Sequence, residues 1–405
     1  MKGFTRRGVL NGATAIGAST LIGSGAARAA YGPGVTDTEI KLGTTSPYSG
    51  PASSFGVFGE AQVAFFKMIN DKGGINGRKI NLISLDNAFS PPKALEQTRT
   101  LVEGDGVFAI AGALGTPPNA AIAKYLNDAK VPNLFLVSGA ERFNDPKNFP
   151  WIIPLYPSYV AQGEIYGNYI KAKKPGAKIA VLYENDDLGK DYVRGLKKGL
   201  GDKAASMIVK ERSHELSDPS IESIVVEMNA TGADVYVQFT TPKFAAQSIR
   251  KTAALGWKPL QILASNAASI PATLVPAGLE NSRGIISARW EKDITGPEFA
   301  DDQAIKEFRQ FEAKYMPRAN PADQTAMPGY ICAYAIAEVL RRCGNELTRE
   351  NLVKMAATLR DFPVPTLLPG ITLSNSPDDY SAYHAMEIIQ FNGERWVGLG
   401  ELIRI

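Results

Sequence analysis

The feature that most constrains the fold is a strand, helix and strand pattern between residues 40 and 86. The short apolar-leaning run Ile40–Thr45 predicts a buried strand, and a loop rich in proline and glycine follows it at 46–56. Apolar residues then recur at the spacing of one helix face, at Ala61, Ala64, Phe65, Met68 and Ile69. The run Ile80–Leu85 completes a βαβ unit. Because ligands bind at the carboxyl ends of strands in open α/β sheets, the 46–56 loop is predicted to face a binding cleft.

The same alternation continues along the chain. Further strands are predicted at Val107–Ala111, Asn133–Val137, Lys178–Tyr183, Met207–Glu211, Asp234–Phe239 and Gln261–Leu263. Helices are predicted at Pro92–Glu103, Asn119–Asp128, Ser158–Lys173, Leu188–Leu200, Ser220–Ala230 and Pro242–Leu255. This order predicts an α/β fold with parallel sheets covered on both faces. The pattern occurs on both sides of the proline-flanked segment Pro154–Pro157, so we expect two domains.

Residues 1–29 have the composition of an export signal. Arg6 and Arg7 precede an uncharged run rich in glycine and alanine, and Ala27-Arg28-Ala29 supplies the small residues of a cleavage site. We predict export by the twin-arginine route and cleavage after Ala29. The alternative, a membrane anchor, is disfavoured by the polar residues within the run.

Charge and motifs exclude several classes of function. Four basic residues and no acid lie in the signal, which leaves a nearly neutral chain and no electrostatic reason to expect nucleic acid as a partner. The sequence has no GxxxxGK[ST], HExxH or GxSxG motif. Its two histidines lie in unrelated contexts, and we interpret His214 as a surface loop residue. No catalytic residue, metal or cofactor is predicted.

Several motifs carry a resemblance to a known family. The segments SPYSGP and INDKGGINGRKI, then AVLYENDDLGKDY at 180–192, GADVYVQFTTPKFAAQ at 232–247 and LGWKP at 255–259, resemble the Leu/Ile/Val-binding protein family. Its members are periplasmic solute receptors of ABC importers. The resemblance covers nearly the whole chain after the signal.

The resemblance implies a type I periplasmic binding protein fold, with two Rossmann-like parallel-sheet lobes joined by a three-strand hinge. Lobe 1 would comprise 30–156 and 289–370, and lobe 2 would comprise 157–288 and 371–405. The implied function is capture of a small organic solute between the lobes and its delivery to a membrane permease. The protein would be a periplasmic monomer. The alternative is a ligand-sensing subunit of a chemotaxis or signalling system, which the same fold serves.

Two strand-to-helix turns of lobe 1 are candidate anion sites. Gly115 and Thr116 lie in one, and Ser138, Gly139 and Ala140 lie in the other. Small residues let N–H groups and hydroxyls approach an anion at a helix N-terminus. The alternative is a plain turn with Asn119 as the N-cap. The family holds the ligand carboxylate in these turns.

Four further ligand contacts are implied by the family pattern, at Phe55, Leu188, Thr240 and Thr241. Phe55 could equally fill the local core, and the threonines could be helix caps. Leu188 stands where many relatives have a tyrosine or phenylalanine, so stacking from lobe 2 is not expected.

Asn266 departs from the family pattern. Amino-acid binders of the family have a carboxylate near this position to pair with the ligand ammonium, and asparagine cannot supply that charge. Glu184, Asp186 and Asp187 are near enough to replace it, although acids in such loops are usually solvated. We therefore expect a small carboxylate or amide without an α-amino group.

The two cysteines, Cys332 and Cys343, fall on one face of a predicted helix, three turns apart. Eleven residues of helix span about 16 Å, which exceeds the reach of a disulfide. We expect two free thiols. The positions that match the disulfide of many relatives hold Phe89 and either Leu114 or Gly115.

Overall fold

The computed structural model describes residues 31–400 and 402–405, so the signal predicted at residues 1–29 lies outside the described residues. The strands are β1 (Glu39–Ser46), β2 (Lys79–Asp86), β3 (Ala109–Ala111), β4 (Asn133–Leu136), β5 (Ile152–Pro154), β6 (Ile179–Glu184), β7 (Ile208–His214), β8 (Val235–Phe239), β9 (Leu260–Leu263), β10 (Ile286–Arg289), β11 (Ala385–Phe391), β12 (Trp396–Gly398) and β13 (Ile403–Arg404).

The α-helices are α1 (Gly56–Asp71), α2 (Pro91–Arg99), α3 (Thr116–Asp128), α4 (Tyr159–Lys173), α5 (Asp187–Leu200), α6 (Ala204–Met207), α7 (Glu222–Asn229), α8 (Pro242–Ala254), α9 (Val275–Ala277), α10 (Leu279–Ser282), α11 (Gln303–Tyr315), α12 (Ala326–Cys343) and α13 (Arg349–Ala356). Within the described ranges, none of them is both long enough and apolar enough to cross a membrane.

The first sheet has the strand order β2-β1-β3-β4-β5, and all its pairings are parallel. β1 lies between β2 and β3, so Leu42 pairs with Leu82 on one side and Ala109 on the other. Helix α1 ends at Asp71, where Gly73 and Gly74 take positive φ angles of 99° and 80°. The βαβ unit predicted from the sequence is confirmed, and its first loop leaves the carboxyl end of β1.

The second sheet has the order β12-β11-β10-β9-β8-β6-β7, and β13 pairs with β11. Its strands from β6 to β10 pair in parallel, whereas β11 runs antiparallel to β10. Strands β6 and β8 are almost entirely buried, which explains their continuous apolar runs. The predicted fold class, an α/β protein with two parallel-sheet lobes, is confirmed.

Three segments connect the two sheets. The first lies between β5 and α4, and the second follows β10, where Leu368 N–H donates to Trp290 O at 2.9 Å. The third precedes β11. Residues 371–383 were predicted to belong to lobe 2. They form hydrogen bonds to lobe 1 instead; for example, the Tyr380 hydroxyl donates to Pro150 O at 3.0 Å. We therefore place the third crossing beside His384, and the other lobe boundaries stay a prediction.

Helices α4 and α5 pack through glycines. Gly163 and Gly167 on α4 face Gly195 and Gly199 on α5, four residues apart on each helix. A methyl group on any of the four would overlap the backbone of the opposite helix. The two helices are therefore in backbone-to-backbone contact, and the Tyr192 hydroxyl adds a hydrogen bond of 2.8 Å to Gln162 Oε1.

The interpretation of His214 as a surface loop residue was wrong. His214 is the last residue of β7 and only 2% exposed, because α8 covers this end of the sheet. The ring centroids of Phe244, on α8, and the His214 imidazole are 4.4 Å apart. Its Nε2 lies 2.6 Å from Thr240 Oγ1. Burial lowers the pKa of His214, which favours the neutral imidazole.

Both cysteines lie on α12, buried and without a disulfide, as predicted. Burial raises the pKa of Cys343 to about 12 and also raises that of Cys332. Both thiols are therefore protonated at neutral pH and unreactive.

Candidate functional site

A cleft of about 1200 Å³, including its open mouth, lies between the carboxyl ends of the two sheets. Lobe 1, lobe 2 and the hinge segments all line it. Seven aromatic residues of the described sequence line it: Phe55, Phe58, Phe89, Tyr156, Tyr159, Trp290 and Trp396. Aromatic walls with few polar groups are typical of sites for small organic ligands.

The aromatic residues of lobe 1 pack on one another. Phe55 and Phe89 lie 6.5 Å apart between ring centroids, and Phe89 covers Gly115. Phe89 has a φ of 56°, a left-handed conformation that costs free energy in a residue with a side chain. Phe55 is half-buried and lines the cleft, so both its predicted position and its alternative role in packing are compatible with the structure.

The Gly115–Thr116 turn forms part of the lobe 1 wall. Gly115 has a φ of 108°, which glycine adopts without strain, and Thr116 begins α3. The Gly115 N–H donates to Val137 O at 3.1 Å, and Pro117 and Pro118 have no N–H. Thr116 N–H has no acceptor among the described residues. The turn therefore has fewer free N–H donors for an anion than predicted from the sequence.

Ser138, Gly139 and Ala140 lie behind the cleft surface. The hydroxyls of Ser138 and Thr116 are 2.8 Å apart, and the Tyr159 hydroxyl is 3.5 Å from Thr116 Oγ1. Gly139 packs against the backbone of Pro157. These residues support the wall that Thr116 presents, and their contact with a ligand stays a prediction.

The alternative of Asn119 as an N-cap is wrong. Helix α3 begins at Thr116, with Gly115 in the N-cap position. Asn119 lies within the first turn, and its amide donates to Ala113 O at 2.8 Å and to Gly115 O at 2.9 Å. It therefore fixes the shape of the turn from inside.

Lobe 2 lines the cleft with Leu188, Thr241 and Asn266. Thr240 does not line it, because its hydroxyl bonds His214. Thr241 occupies the N-cap position of α8 without a capping side-chain bond. Asn266 Nδ2 donates to Thr240 O at 3.1 Å, while Oδ1 is buried without a partner in the described chain. Asn266 thus has an unmatched acceptor oxygen beside the cleft.

The acidic residues near Asn266 are less exposed to solvent than predicted from the sequence. Glu184 is 1% exposed, and neither of its carboxylate oxygens has a partner among the described residues, so its expected solvation was wrong. Burial and the neighbouring Asp186 raise the pKa of Glu184 well above its ordinary value. Burial raises the pKa of Asp186, the N-cap of α5, to about 6. Asp187 forms an ion pair of 2.7 Å with Arg142. None of the three lines the cleft.

The hinge side of the cleft was not predicted from the sequence. The consecutive residues 288–291 line it, followed by Asp293 and Thr295, so the chain meets the cavity with both of its sides near Trp290. Arg289 binds Glu387 at 2.8 Å and Glu298 at 3.4 Å. The charged residues on both sides of Trp290 in ARWEKDIT were the signal that could have drawn attention to this segment.

Hydrogen bonds join the lobes beside the first crossing, where Tyr159 N–H donates to Gly139 O at 2.8 Å, and at two further places. Near the start of α5, Glu141 N–H donates to Asp191 Oδ2 at 2.8 Å, next to the Arg142 ion pair. Elsewhere on the cleft, Ser269 Oγ donates to Asp323 Oδ1 at 3.3 Å. Contacts of this kind are expected when two lobes approach each other around a ligand site.

Comparisons with known proteins agree with this architecture. The family model described as "Periplasmic binding protein" matches residues 39–395. The Leu/Ile/Val-binding protein homolog 7 of Brucella suis biovar 1 is 24% identical over 325 residues, which cover 77% of this chain and 79% of the relative.

Two solved structures illustrate the similarity of fold. A branched chain amino acid ABC transporter protein from Thermus thermophilus with bound valine has a TM-score of 0.81 and 17% identity, and covers 92% of this chain and 98% of its own. A solute binding protein of an ABC transporter from R. palustris, in complex with benzoate, has a TM-score of 0.74 and 20% identity, and covers 91% and 98%. Because the family match spans most of the chain, this protein belongs to the periplasmic binding protein family, a family of solute-binding proteins rather than of enzymes.

Proposed function

We propose that this protein is the periplasmic solute-binding component of an ABC importer and that it captures a small organic carboxylate or amide without an α-amino group. The observation that carries the proposal is the aromatic cleft between two lobes, which only a small, largely apolar solute would fill well. Burial of apolar surface contributes about 25 cal/mol per Å². The ligand's hydrocarbon body would supply most of the binding free energy in this cleft.

The polar groups of the cleft walls support the ligand class. The Thr116 N–H, with the Thr116 hydroxyl beside it, is suited to a carboxylate oxygen. Opposite it, lobe 2 presents the apolar Leu188 and the neutral Asn266, whose oxygen accepts a hydrogen bond but carries no charge. An ammonium held there would lack a counter-charge, which costs several kcal/mol. A hydroxyl or amide N–H would not carry this cost.

The ligands of two structural relatives support the proposal that the ligand is small. Valine and benzoate, which those structures contain, are both small carboxylates with an apolar body. They differ in the ammonium group, and Asn266 favours the benzoate type for this chain.

Calorimetric titration of the mature protein with leucine, its keto and hydroxy analogues and benzoate tests the ligand class. We expect the acids without an ammonium to bind and leucine to bind weakly. Tight binding of leucine with none of the others would overturn the assignment. Loss of uptake of the bound acid in cells that lack this protein would support the importer role, and unchanged uptake would contradict it.

Export by the twin-arginine route belongs to the same proposal. Replacing Arg6 and Arg7 by lysine should leave the precursor in the cytoplasm. Fractionation of cells that express this variant measures the effect, and normal export would refute the route.

A further inference from the structure

Two charged side chains on the hinge side of the cleft have unmatched hydrogen-bonding groups. Arg289 and Glu291 lie two residues apart and both line the cavity. Trp290, which lies between them in sequence, lines it as well. The two charged residues are therefore neighbours on the hinge wall of the cleft.

Arg289 is held in place by its other contacts. Its Nε donates to Glu387 Oε2 at 2.8 Å, and Arg289 pairs in register with Glu387 across β10 and β11. A second nitrogen, Nη2, donates to Glu298 at 3.4 Å. The remaining Nη1 is buried and has no acceptor in the part of the chain that the structure describes. An unmatched buried donor of a charged group is costly, so it requires an explanation.

Glu291 is 6% exposed. One carboxyl oxygen accepts from Gln324 Nε2 at 3.3 Å, and the other, Oε1, has no partner among the described residues. Trp290, Tyr156 and Tyr383 are its other close polar neighbours. Burial raises the pKa of Glu291 to about 8, so at neutral pH its carboxyl group holds a proton and can donate it in a hydrogen bond.

We propose that Arg289 and Glu291 form a second polar subsite that binds an oxygen at the end of the ligand remote from its carboxylate. Both groups act as donors, and one oxygen with two lone pairs can accept from both. An ammonium can only donate hydrogen bonds and finds no acceptor in a pair of donors, so the subsite selects a hydroxyl, carbonyl or second carboxylate. This inference rests on the proposed function, because it assumes that the cleft binds an organic acid.

Calorimetric titration with pairs of acids tests the subsite. Benzoate is compared with 4-hydroxybenzoate and terephthalate, and hexanoate is compared with adipate. In the wild type we expect the acid with the second oxygen to bind at least about ten-fold more tightly within one of these pairs, which corresponds to about 1.4 kcal/mol. Equal binding within every pair would overturn the subsite while leaving the proposed function intact. If none of these acids binds, the carboxylate assignment fails and the subsite fails with it.

Three variants assign the preference to these side chains. Glu291→Leu should remove the preference, whereas Glu291→Gln, which still donates from its amide, should retain most of it. Arg289→Lys should reduce it independently, which covers the case in which Glu291→Leu does not fold. Glu312→Gln is the matched control, because Glu312 is also a buried acid with unpartnered oxygens but lies outside the cleft. A preference that survives both Glu291→Leu and Arg289→Lys would refute the proposal.

Discussion

The two lobes face the same cleft with differently satisfied polar groups. In the lobe 1 turns, the Thr116 and Ser138 hydroxyls bond each other and the Asn119 amide bonds two carbonyls. In the lobe 2 turns, both oxygens of Glu184 and Oδ1 of Asn266 are buried without partners among the described residues.

This difference indicates that the lobes have different roles. Turns whose polar side chains are already paired keep their shape when the cleft is empty, so the wall that Thr116, Asn119 and Ser138 support is preorganised for the ligand. Buried groups without partners lower stability, so lobe 2 has free energy to recover when a ligand or a proton reaches it. Ligand affinity should therefore depend on the fit to lobe 1, and its response to conditions should depend on lobe 2.

The largest loss of stability is expected from a substitution that disrupts the preorganised wall of lobe 1. Gly139→Ala would place a methyl group against Pro157 O and 2.9 Å from the Tyr159 ring. We expect the free energy of unfolding to fall by about 3 kcal/mol, because this turn has no room to adjust. Urea denaturation measures the loss. Gly104→Ala, also in lobe 1 but with no atom near the added methyl, should change it by less than about 0.5 kcal/mol. Equal values for the two variants would show that the turn is not tightly packed.

A substitution in lobe 2 should instead raise the free energy of unfolding. The pKa of folded Glu184 is raised above its usual 4.5, so between pH 4.5 and the folded value the unfolded chain releases a proton that the folded chain keeps. This group therefore lowers stability as pH rises through that window. Glu184→Gln carries no such proton and should be about 1–3 kcal/mol more stable than wild type at pH 8, with little difference at pH 4. Denaturation curves across this range measure it, and a variant less stable than wild type at pH 8 would contradict the comparison.

Removing one hydroxyl tests how much the paired side chains of lobe 1 contribute to stability. Thr116→Val removes the hydroxyl partner of Ser138, which is fully buried, and leaves its oxygen with the Ala140 N–H at 3.3 Å. We expect a loss of about 1–2 kcal/mol in the free energy of unfolding. Adding Ser138→Ala should return part of that loss, because the buried hydroxyl that lost its partner is then removed. A double variant whose loss is the sum of the two single losses would show that the hydroxyls act independently.

The smallest effect is expected at the exposed ion pair between the lobes. Arg142 and Asp187 are 51% and 39% exposed, and such pairs contribute less than about 1 kcal/mol. Arg142→Gln should therefore weaken ligand binding by no more than about five-fold at low salt. The difference should vanish near about 0.5 M sodium chloride because salt screens exposed charges. A larger, salt-independent effect would place Arg142 among the groups that close the cleft.

The fold was predictable because both sheets are largely parallel and buried on both faces. β6 was predicted at Lys178–Tyr183 and lies at Ile179–Glu184, since a continuous apolar run marks such a strand. The hinge-side strands β10 and β11 were not predicted. Polar residues interrupt the apolar ones in both, as ISAR and AMEIIQF, so neither has the continuous apolar run that marks a strand such as β6.

The site was only partly predictable. Thr116, Leu188, Thr241 and Asn266 follow family motifs, and the structure places all four on the cleft. The burial of Glu184 depends on packing between segments that are distant in sequence, which no local pattern reveals. The same holds for His214, which is covered by a helix about thirty residues further along the chain.

The glycine contact between α4 and α5 determines how the lobe 2 wall can move. Helix α4 starts just after the first crossing, and α5 starts beside Leu188. The helix backbones are in direct contact, and the Tyr192–Gln162 hydrogen bond and the Lys198–Glu164 ion pair also join them, so we expect the two helices to rotate as one body. A rotation at the first crossing therefore carries Leu188 through the same angle. Ligands of different length should be accommodated by different angles of closure, with the shape of the wall unchanged.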